Sequence, residues 1–261
     1  MADFNGALQK LNRAKAHLNA LDADLNAEGG PYRLTVEPDA ERGYYLVKAI
    51  RVRETNDWAL LLGDFLHNVR SALDHMVWQL VLANDERPSR SNEFPIAVDP
   101  GWFDRKAKRY LAGVHDDAIA VIRSLQPFRV SDEGKRKLDP LWLLNELENV
   151  DKHRLVHVLS LAPQGATLFF DPRFPLTLGE SLEVFDLSNR VLEHGTKLAR
   201  IRLHRQPQME VNSEFHLLVL LEKTELTPRL EWGVAGVMVK AVEDVMAALT
   251  PFVAWPPSKR P

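Results

Sequence analysis

Side chains that can carry chemistry are concentrated in two segments of the chain. The first, FLHNVRSALDHMVWQL, places His67, Arg70, Ser71, Asp74 and His75 within little more than two turns of a predicted helix. Arginine stabilises negative charge, and histidine accepts or donates a proton near neutral pH. This combination is typical of phosphate binding or of phosphodiester chemistry.

A second polar cluster ends the segment LWLLNELENVDKHR. Asparagines four residues apart share one helix face, and cations in the last turn complement the helix dipole. The members of this cluster are Asn145, Asn149, Asp151, Lys152, His153 and Arg154.

The polar sides of the two segments are expected to face one another. Large apolar residues, Leu60 and Trp78, bracket the polar side of the first segment, which indicates that this side is covered. A covered polar group needs a partner, because burying it unpaired costs free energy. We therefore expect Arg70 to pair with Asp151, and Asp74 to accept a hydrogen bond from Lys152 or to orient a histidine.

Several interpretations of these residues remain open. They can form a structural ion-pair network, or a phosphate site in which Arg70 stabilises charge and His75 moves a proton. A metal site would draw on the histidines and aspartates of both segments, but no HExxH pattern is present. Acyl transfer lacks a GxSxG serine. We assign no metal and no cofactor.

Composition excludes other classes of site. The 261 residues include no cysteine, which rules out disulfides, thiolate metal sites and cysteine nucleophiles. The net charge of −3 gives no global basic field, so nucleic-acid binding would depend on local patches such as 105–109 and 135–137. No apolar stretch is long enough to span a membrane, and MADFNGALQK is no signal sequence. The expected location is the cytoplasm.

The elements that position these residues follow from periodicity and turn signals. Helices are predicted over 3–27, 56–84, 102–111, 116–125, 140–154 and 232–252. Strands are predicted over 32–36, 44–52, 155–161, 167–170, 182–185, 198–203 and 215–222, the first two forming a hairpin.

This order of elements predicts an α+β fold with an N-terminal β-hairpin and a mostly antiparallel, β-rich C-terminal half closed by a helix. We expect one integrated domain over 1–261. It comprises a helical core over 1–154 with the hairpin at 32–52, a β-rich half with its closing helix over 155–252, and a loose tail over 253–261.

Two resemblances bear on this cluster. The run from Arg70 to His75 resembles the arginine-x4–6-histidine motif of HEPN (higher eukaryotes and prokaryotes nucleotide-binding) domains. The wider combination of FLHNVRSALDHMVWQL, NEFPI, SLQPF and LWLLNELENVDKHR resembles a widespread group of bacterial proteins, which brings no function with it.

The HEPN resemblance implies a helical bundle core that binds RNA or cleaves it without metal, as a homodimer, in a toxin, defence or stress setting. It would make Arg70 the phosphate contact and His75 the acid or base. The supporting residues would be His67, Ser71, Asp74, Asn149, Asp151, Lys152 and His153. The alternatives are a non-enzymatic interaction module, with the β-rich half binding a protein partner, and a metal-dependent hydrolase.

Overall fold

The structure is a computed structural model, and it describes residues 2–25, 32–52, 57–153, 160–169, 181–185, 193–203, 212–221, 230–231 and 233–254. The described elements follow in chain order: α1 (Asn5–Leu25), β1 (Tyr32–Pro38), β2 (Tyr44–Arg51), α2 (Asp57–Ala83), α3 (Pro100–Tyr110), α4 (Asp116–Ser124), α5 (Glu133–Arg136), α6 (Pro140–His153), β3 (Ser160–Phe169), β4 (Ser181–Val184), β5 (Thr196–Arg202), β6 (Asn212–Leu221), β7 (Leu230–Glu231), α7 (Val234–Leu249) and α8 (Pro251–Ala254). The mixed α+β class is confirmed.

Helix α2 is the centre of the molecule. Its apolar residues recur every three or four positions and cover more than half of the helix circumference, so α1, α6 and α7 all pack against it. The helix ends where Asp85 adopts a left-handed conformation, with φ of 58°. The buried residues of α2 are Trp58, Leu62, Gly63, Phe65, Leu66, Val69, Ala72, Leu73, Met76, Val77, Leu80 and Val81.

Helix α1 runs antiparallel to α2. The backbone N–H of Asp3, just before α1, donates to Gln79 Oε1 at 3.2 Å, while Asp24, near its other end, accepts from the Trp58 indole N–H. Leu11, a buried α1 residue, faces the shared core between these two contacts. The predicted helices over 3–27 and 56–84 are therefore confirmed within a few residues over the described part, while 26–27 and 56 lie outside it.

The predicted hairpin forms, but it is part of a larger sheet. β1 and β2 pair antiparallel with Tyr32 opposite Arg51, and the four described strands of this sheet have the order β1-β2-β5-β4. β5 pairs with β2 with Arg202 opposite Tyr44. The hairpin that was assigned to the helical half therefore hydrogen-bonds to strands of the C-terminal half.

A second antiparallel sheet has the order β3-β6-β7. The sequence pattern predicts separate strands over 155–161 and 167–170, because Pro163 and Gly165 look like turn residues. This break is wrong: β3 is continuous through them, and a register shift between Pro163 and Gly165 absorbs the irregularity. A bulge accommodates proline and glycine that a regular ladder would not. Residues 155–159 lie outside the described part.

The start of α6 has the cap that the sequence predicts. Asp139 Oδ1 accepts from the backbone N–H groups of Leu141 at 2.9 Å and Trp142 at 3.2 Å, and Pro140 occupies the first helical position. The stretch over 127–138, where no helix or strand is predicted, contains a 3₁₀ turn over Pro127–Arg129 and the short helix α5.

Helices α7 and α8 close the described chain. α7 buries Met238, Val242 and Leu249 in the common core, as the apolar spacing of the predicted closing helix indicates. Two residues of the expected tail form the end of α8, and 255–261 lie outside the described part. Among the described helices, none combines the length and the apolar character that crossing a bilayer requires.

Candidate functional site

One flank of α2 forms hydrogen bonds to the NEFPI segment, which follows α2 in the chain. The Arg70 side chain is only 11% exposed, and its Nη2 donates to the carbonyl oxygen of Phe94 at 2.8 Å and lies 3.3 Å from Asp74 Oδ1. The same Asp74 oxygen accepts from the backbone N–H of Phe94 at 2.9 Å. Arg70 and Asp74, one helical turn apart, thus bind both polar groups of one peptide residue. We call Arg70, Asp74 and the Phe94 backbone the clamp.

The clamp is needed because the NEFPI segment has no regular secondary structure of its own. Phe94 is fully buried, as expected for an aromatic anchor on the helices, and a buried backbone must find hydrogen-bond partners. Gln126 supplies another: its Oε1 accepts from the Ala97 N–H at 2.9 Å. Asn92 fastens the other end by donating to the carbonyl groups of Tyr110 and Ala112.

Sequence reasoning missed the buried amides Asn92 and Gln126. Each stands beside a Pro-containing aromatic stretch, NEFP and QPF, and this proximity was the available signal. The two stretches also pair directly, since the Phe128 N–H donates to the Ala97 carbonyl at 3.2 Å. NEFPI and SLQPF are therefore one structural unit packed beside α2.

The rest of the polar side of α2 lies on the surface, so the expectation that it is covered is wrong. His67 and His75 are exposed, and His67 Nε2 lies 3.4 Å from Ser71 Oγ. The bracketing apolar residues are exposed as well. Leu60, Trp78 and Leu82 are 58%, 43% and 41% accessible. We call this surface, formed by Leu60, Asp64, His67, Ser71, His75, Trp78 and Leu82, the α2 stripe.

Helix α1 borders the stripe on the side opposite the clamp. A Cβ atom on Gly6 would lie 3.1 Å from His75 Nδ1, so the imidazole ring rests against the α1 backbone at a point where a side chain would crowd it. Lys10 and Arg13 share the helix face of Gly6 at i, i+4 and i+7. Two cations of α1 thus follow the same edge of the stripe.

Among the side chains that the structure describes, helix α6 packs on α2 through the apolar core. Leu144 and Leu147 are buried in the cluster that contains Val69 and Leu73, whereas Asn149 is exposed. The backbone of α6 extends to His153, and the side chains of Asp151, Lys152 and His153 lie outside the described part.

The contacts of Arg70 differ from the expected pairing with Asp151. Its described partners are Phe94 and Asp74, and the Nη1 atom is buried with no hydrogen-bond partner among the described residues. The guanidinium is therefore largely engaged by the chain itself and offers little surface to a ligand from solvent. Asp74, 34% exposed, is likewise occupied by Phe94 and Arg70.

Outside the stripe, the carboxyl group that caps the start of α6 has a shifted pKa. Burial raises the pKa of Asp139 above its ordinary value, opposed by hydrogen bonds from the Trp142 and Leu141 N–H groups, because no described cation pairs with this carboxylate. Among the described residues, no three histidine, cysteine or acidic side chains are grouped so that they would hold a metal ion.

The described part of the site thus brings together Arg70 with Asp74, and His67 with Ser71, while His75 stands against α1. The stripe can offer exposed imidazoles and an aromatic ring to a ligand. Beside it lies the NEFPI segment, which the clamp holds against α2. Comparisons with family models, with curated proteins and with solved structures find no match to this chain.

Proposed function

We propose that the chain is an RNA-binding protein with a HEPN-like helical core, and that RNA contacts the α2 stripe. The observation that supports this most is the presence of two exposed histidines and an exposed tryptophan on one helix face. Imidazole groups contact phosphates and transfer protons, and aromatic rings stack on unpaired bases.

Position within the fold also supports the proposal. Arg70 and His75 lie near the middle of the long central helix, where the HEPN resemblance would have them. Lys10 and Arg13 border the stripe on α1 and add positive charge for a phosphate backbone.

Within this proposal His75 is the proton-transfer residue for RNA cleavage. As a base, its imidazole takes the proton of a 2′-hydroxyl while that oxygen bonds to the adjacent phosphorus. The bond from phosphorus to the 5′-oxygen breaks, and that oxygen leaves with a proton taken from water, giving a cyclic phosphate and a 5′-hydroxyl.

Arg70 serves this reaction as a positioning residue. Its hydrogen bond to Phe94 and its contact with Asp74 hold the NEFPI segment beside the stripe. This role replaces the phosphate contact that the resemblance implies.

The test is cleavage of a mixed single-stranded RNA by the purified chain in the presence of EDTA. His75→Ala should lower the cleavage rate about 100-fold or more, because general acid–base catalysis contributes about that much. His194→Ala, at an exposed position before β5, is the matched control and should keep the wild-type rate.

Equal cleavage by the wild-type chain and His75→Ala would reject His75 as the catalytic group. Absence of cleavage, together with absence of RNA binding, would reject the proposed function.

A second candidate is a non-enzymatic interaction module that uses the same stripe. The observation in its favour is the exposure of Trp78 and Leu82, one helical turn apart on the same face, since contiguous exposed apolar side chains mark protein interaction sites. If the partner is a second copy of the chain, Trp78→Ser should abolish dimers in sedimentation velocity while His75→Ala leaves them intact. Loss of RNA binding in Trp78→Ser without a change in sedimentation favours the RNA function.

A further inference from the structure

Helix α3 carries a second surface suited to a nucleic acid. Its sequence PGWFDRKAKRY has four cations, and only Phe103 of the helix is buried, packed edge-on against Phe128 with ring centroids 5.9 Å apart. Most of the helix therefore faces solvent. The cations are Arg105, Lys106, Lys108 and Arg109.

The positive charge of α3 is not neutralised by the described neighbours. Its one acidic residue, Asp104, is bound by Arg123 of α4 through Nε at 3.1 Å and Nη2 at 3.3 Å. The hydrogen bond from Arg123 holds the pKa of Asp104 below its ordinary value, so this carboxylate stays paired and charged. Within the part of the chain that the structure describes, none of the four α3 cations forms an ion pair with a carboxylate.

Two aromatic rings lie among these cations. Trp102 and Tyr110 are both partly exposed, and their ring centroids are 6.4 Å apart in an edge-to-face arrangement. Lys106 Nζ lies 5.8 Å from the Trp102 centroid and 5.5 Å from that of Tyr110, and the Arg109 guanidinium lies 5.8 Å from the Tyr110 centroid. Rings and cations thus form one unit, which we call the α3 ladder: Trp102, Lys106, Arg109 and Tyr110.

The α3 ladder lies next to the clamp. The Tyr110 carbonyl accepts from the Glu93 N–H at 3.3 Å, and the following residue, Phe94, donates its N–H to Asp74. A chain bound along α3 toward Tyr110 would therefore arrive at the clamp side of α2.

We propose that the exposed face of α3 binds single-stranded RNA, with its cations on the phosphates and its aromatic rings against unpaired bases. A positively charged surface with interleaved aromatic side chains is the usual means of holding single strands. A duplex would satisfy the cations but keep its bases away from the rings, so the ladder favours a single strand. The identity of the polymer as RNA rests on the proposed function, whereas the position of this second surface does not.

The experiment measures binding of fluorescein-labelled single-stranded RNA by anisotropy at several salt concentrations. The double variant Arg105→Glu/Arg109→Glu should weaken binding more than tenfold and reduce the slope of log K against log[salt] by about 1.4, because each lost phosphate contact on a single strand accounts for about 0.7. Tyr110→Leu should weaken binding about tenfold through lost stacking.

The matched control is Arg33→Glu/Lys197→Glu, which makes the same charge change at exposed positions on β1 and β5. It should leave binding within about twofold of wild type, allowing for long-range charge. Thermal melting of each variant checks that its fold is retained.

Unchanged RNA binding in the α3 double variant would overturn the inference. So would equal weakening for single-stranded RNA, duplex RNA and heparin with no effect of Tyr110→Leu, since α3 would then be only a general anion surface. If the chain binds RNA through α3 without cleaving it, the inference holds and the catalytic part of the proposed function fails. If cleavage requires His75 but the α3 double variant binds RNA as well as wild type does, the inference alone fails.

Discussion

The two flanks of α2 use polar residues in opposite ways. On the clamp flank, Arg70 and Asp74 are bonded to the Phe94 backbone, and the Arg70 side chain is nearly buried. On the stripe, one quarter-turn away, His67 and His75 are open to solvent beside an exposed tryptophan. Side chains with similar chemistry therefore stabilise the fold on one flank and stay available to a ligand on the other.

The comparison predicts that Arg70 matters most for stability. Arg70→Met keeps an apolar stem but leaves the Phe94 carbonyl and Asp74 without their cationic partner. We expect the free energy of unfolding to fall by about 3 kcal/mol, near the lower limit for breaking a buried pair because Asp74 is partly exposed. Urea denaturation followed by circular dichroism measures the change.

His67→Ala is the control from the stripe. Its side chain is exposed, so the free energy of unfolding should stay within about 0.5 kcal/mol of wild type. Equal destabilisation by the two substitutions would erase the distinction between the flanks.

A smaller effect is expected at Asp74, where the hydrogen bond and the charge can be separated. Asp74→Ala leaves the Phe94 N–H unpaired and should cost about 1–3 kcal/mol in denaturant unfolding. Asp74→Asn retains an oxygen acceptor for that N–H and should recover about half of the loss. If Asn and Ala cost the same, the ion pair with Arg70 is the important contact and the bond to Phe94 contributes little.

The smallest effect is expected at Asp139, a carboxylate with backbone N–H partners and no described cation. Because its pKa is raised in the folded state, the folded chain binds the proton more readily than the unfolded chain. Stability relative to Asp139→Asn should therefore fall as pH rises above the ordinary carboxylate pKa of about 4, the opposite of a carboxylate held by a cation.

Asp139→Ala should in addition cost about 1 kcal/mol at every pH, because the α6 cap is lost. Unfolding free energies measured at several pH values from about 4 upward test both statements. If the free energy of unfolding of wild type relative to Asp139→Asn increased with rising pH, the predicted direction would be contradicted.

The sequence predicted what depends on neighbours along the chain. The bounds of α2 follow from apolar spacing, and the start of α6 follows from an aspartate before a proline. The hydrogen bond from Arg70 to Phe94 could not be found in this way, because its acceptor is a main-chain carbonyl in a distant loop and carries no side-chain signature. Nor did composition reveal that Leu60 and Trp78 face solvent, since apolar residues normally indicate burial.

The strand order could not be predicted from the sequence for a related reason. Alternation marks β2 and β5 as strands, but it does not say which strands pair, and a long helical segment separates them in the sequence. The break predicted at Pro163 failed because the same residues that form turns also form bulges.

The pairing of β2 with β5 has a consequence for how the chain folds. Tyr44 of β2 pairs with Arg202 of β5, which is synthesised much later. One edge of the hairpin therefore keeps its backbone groups unpaired until most of the chain has left the ribosome. Closing so long a loop is entropically slow, whereas the neighbouring α1 and α2 can associate early. The open β2 edge is thus the point at which a nascent chain is most exposed to strand exchange with another copy.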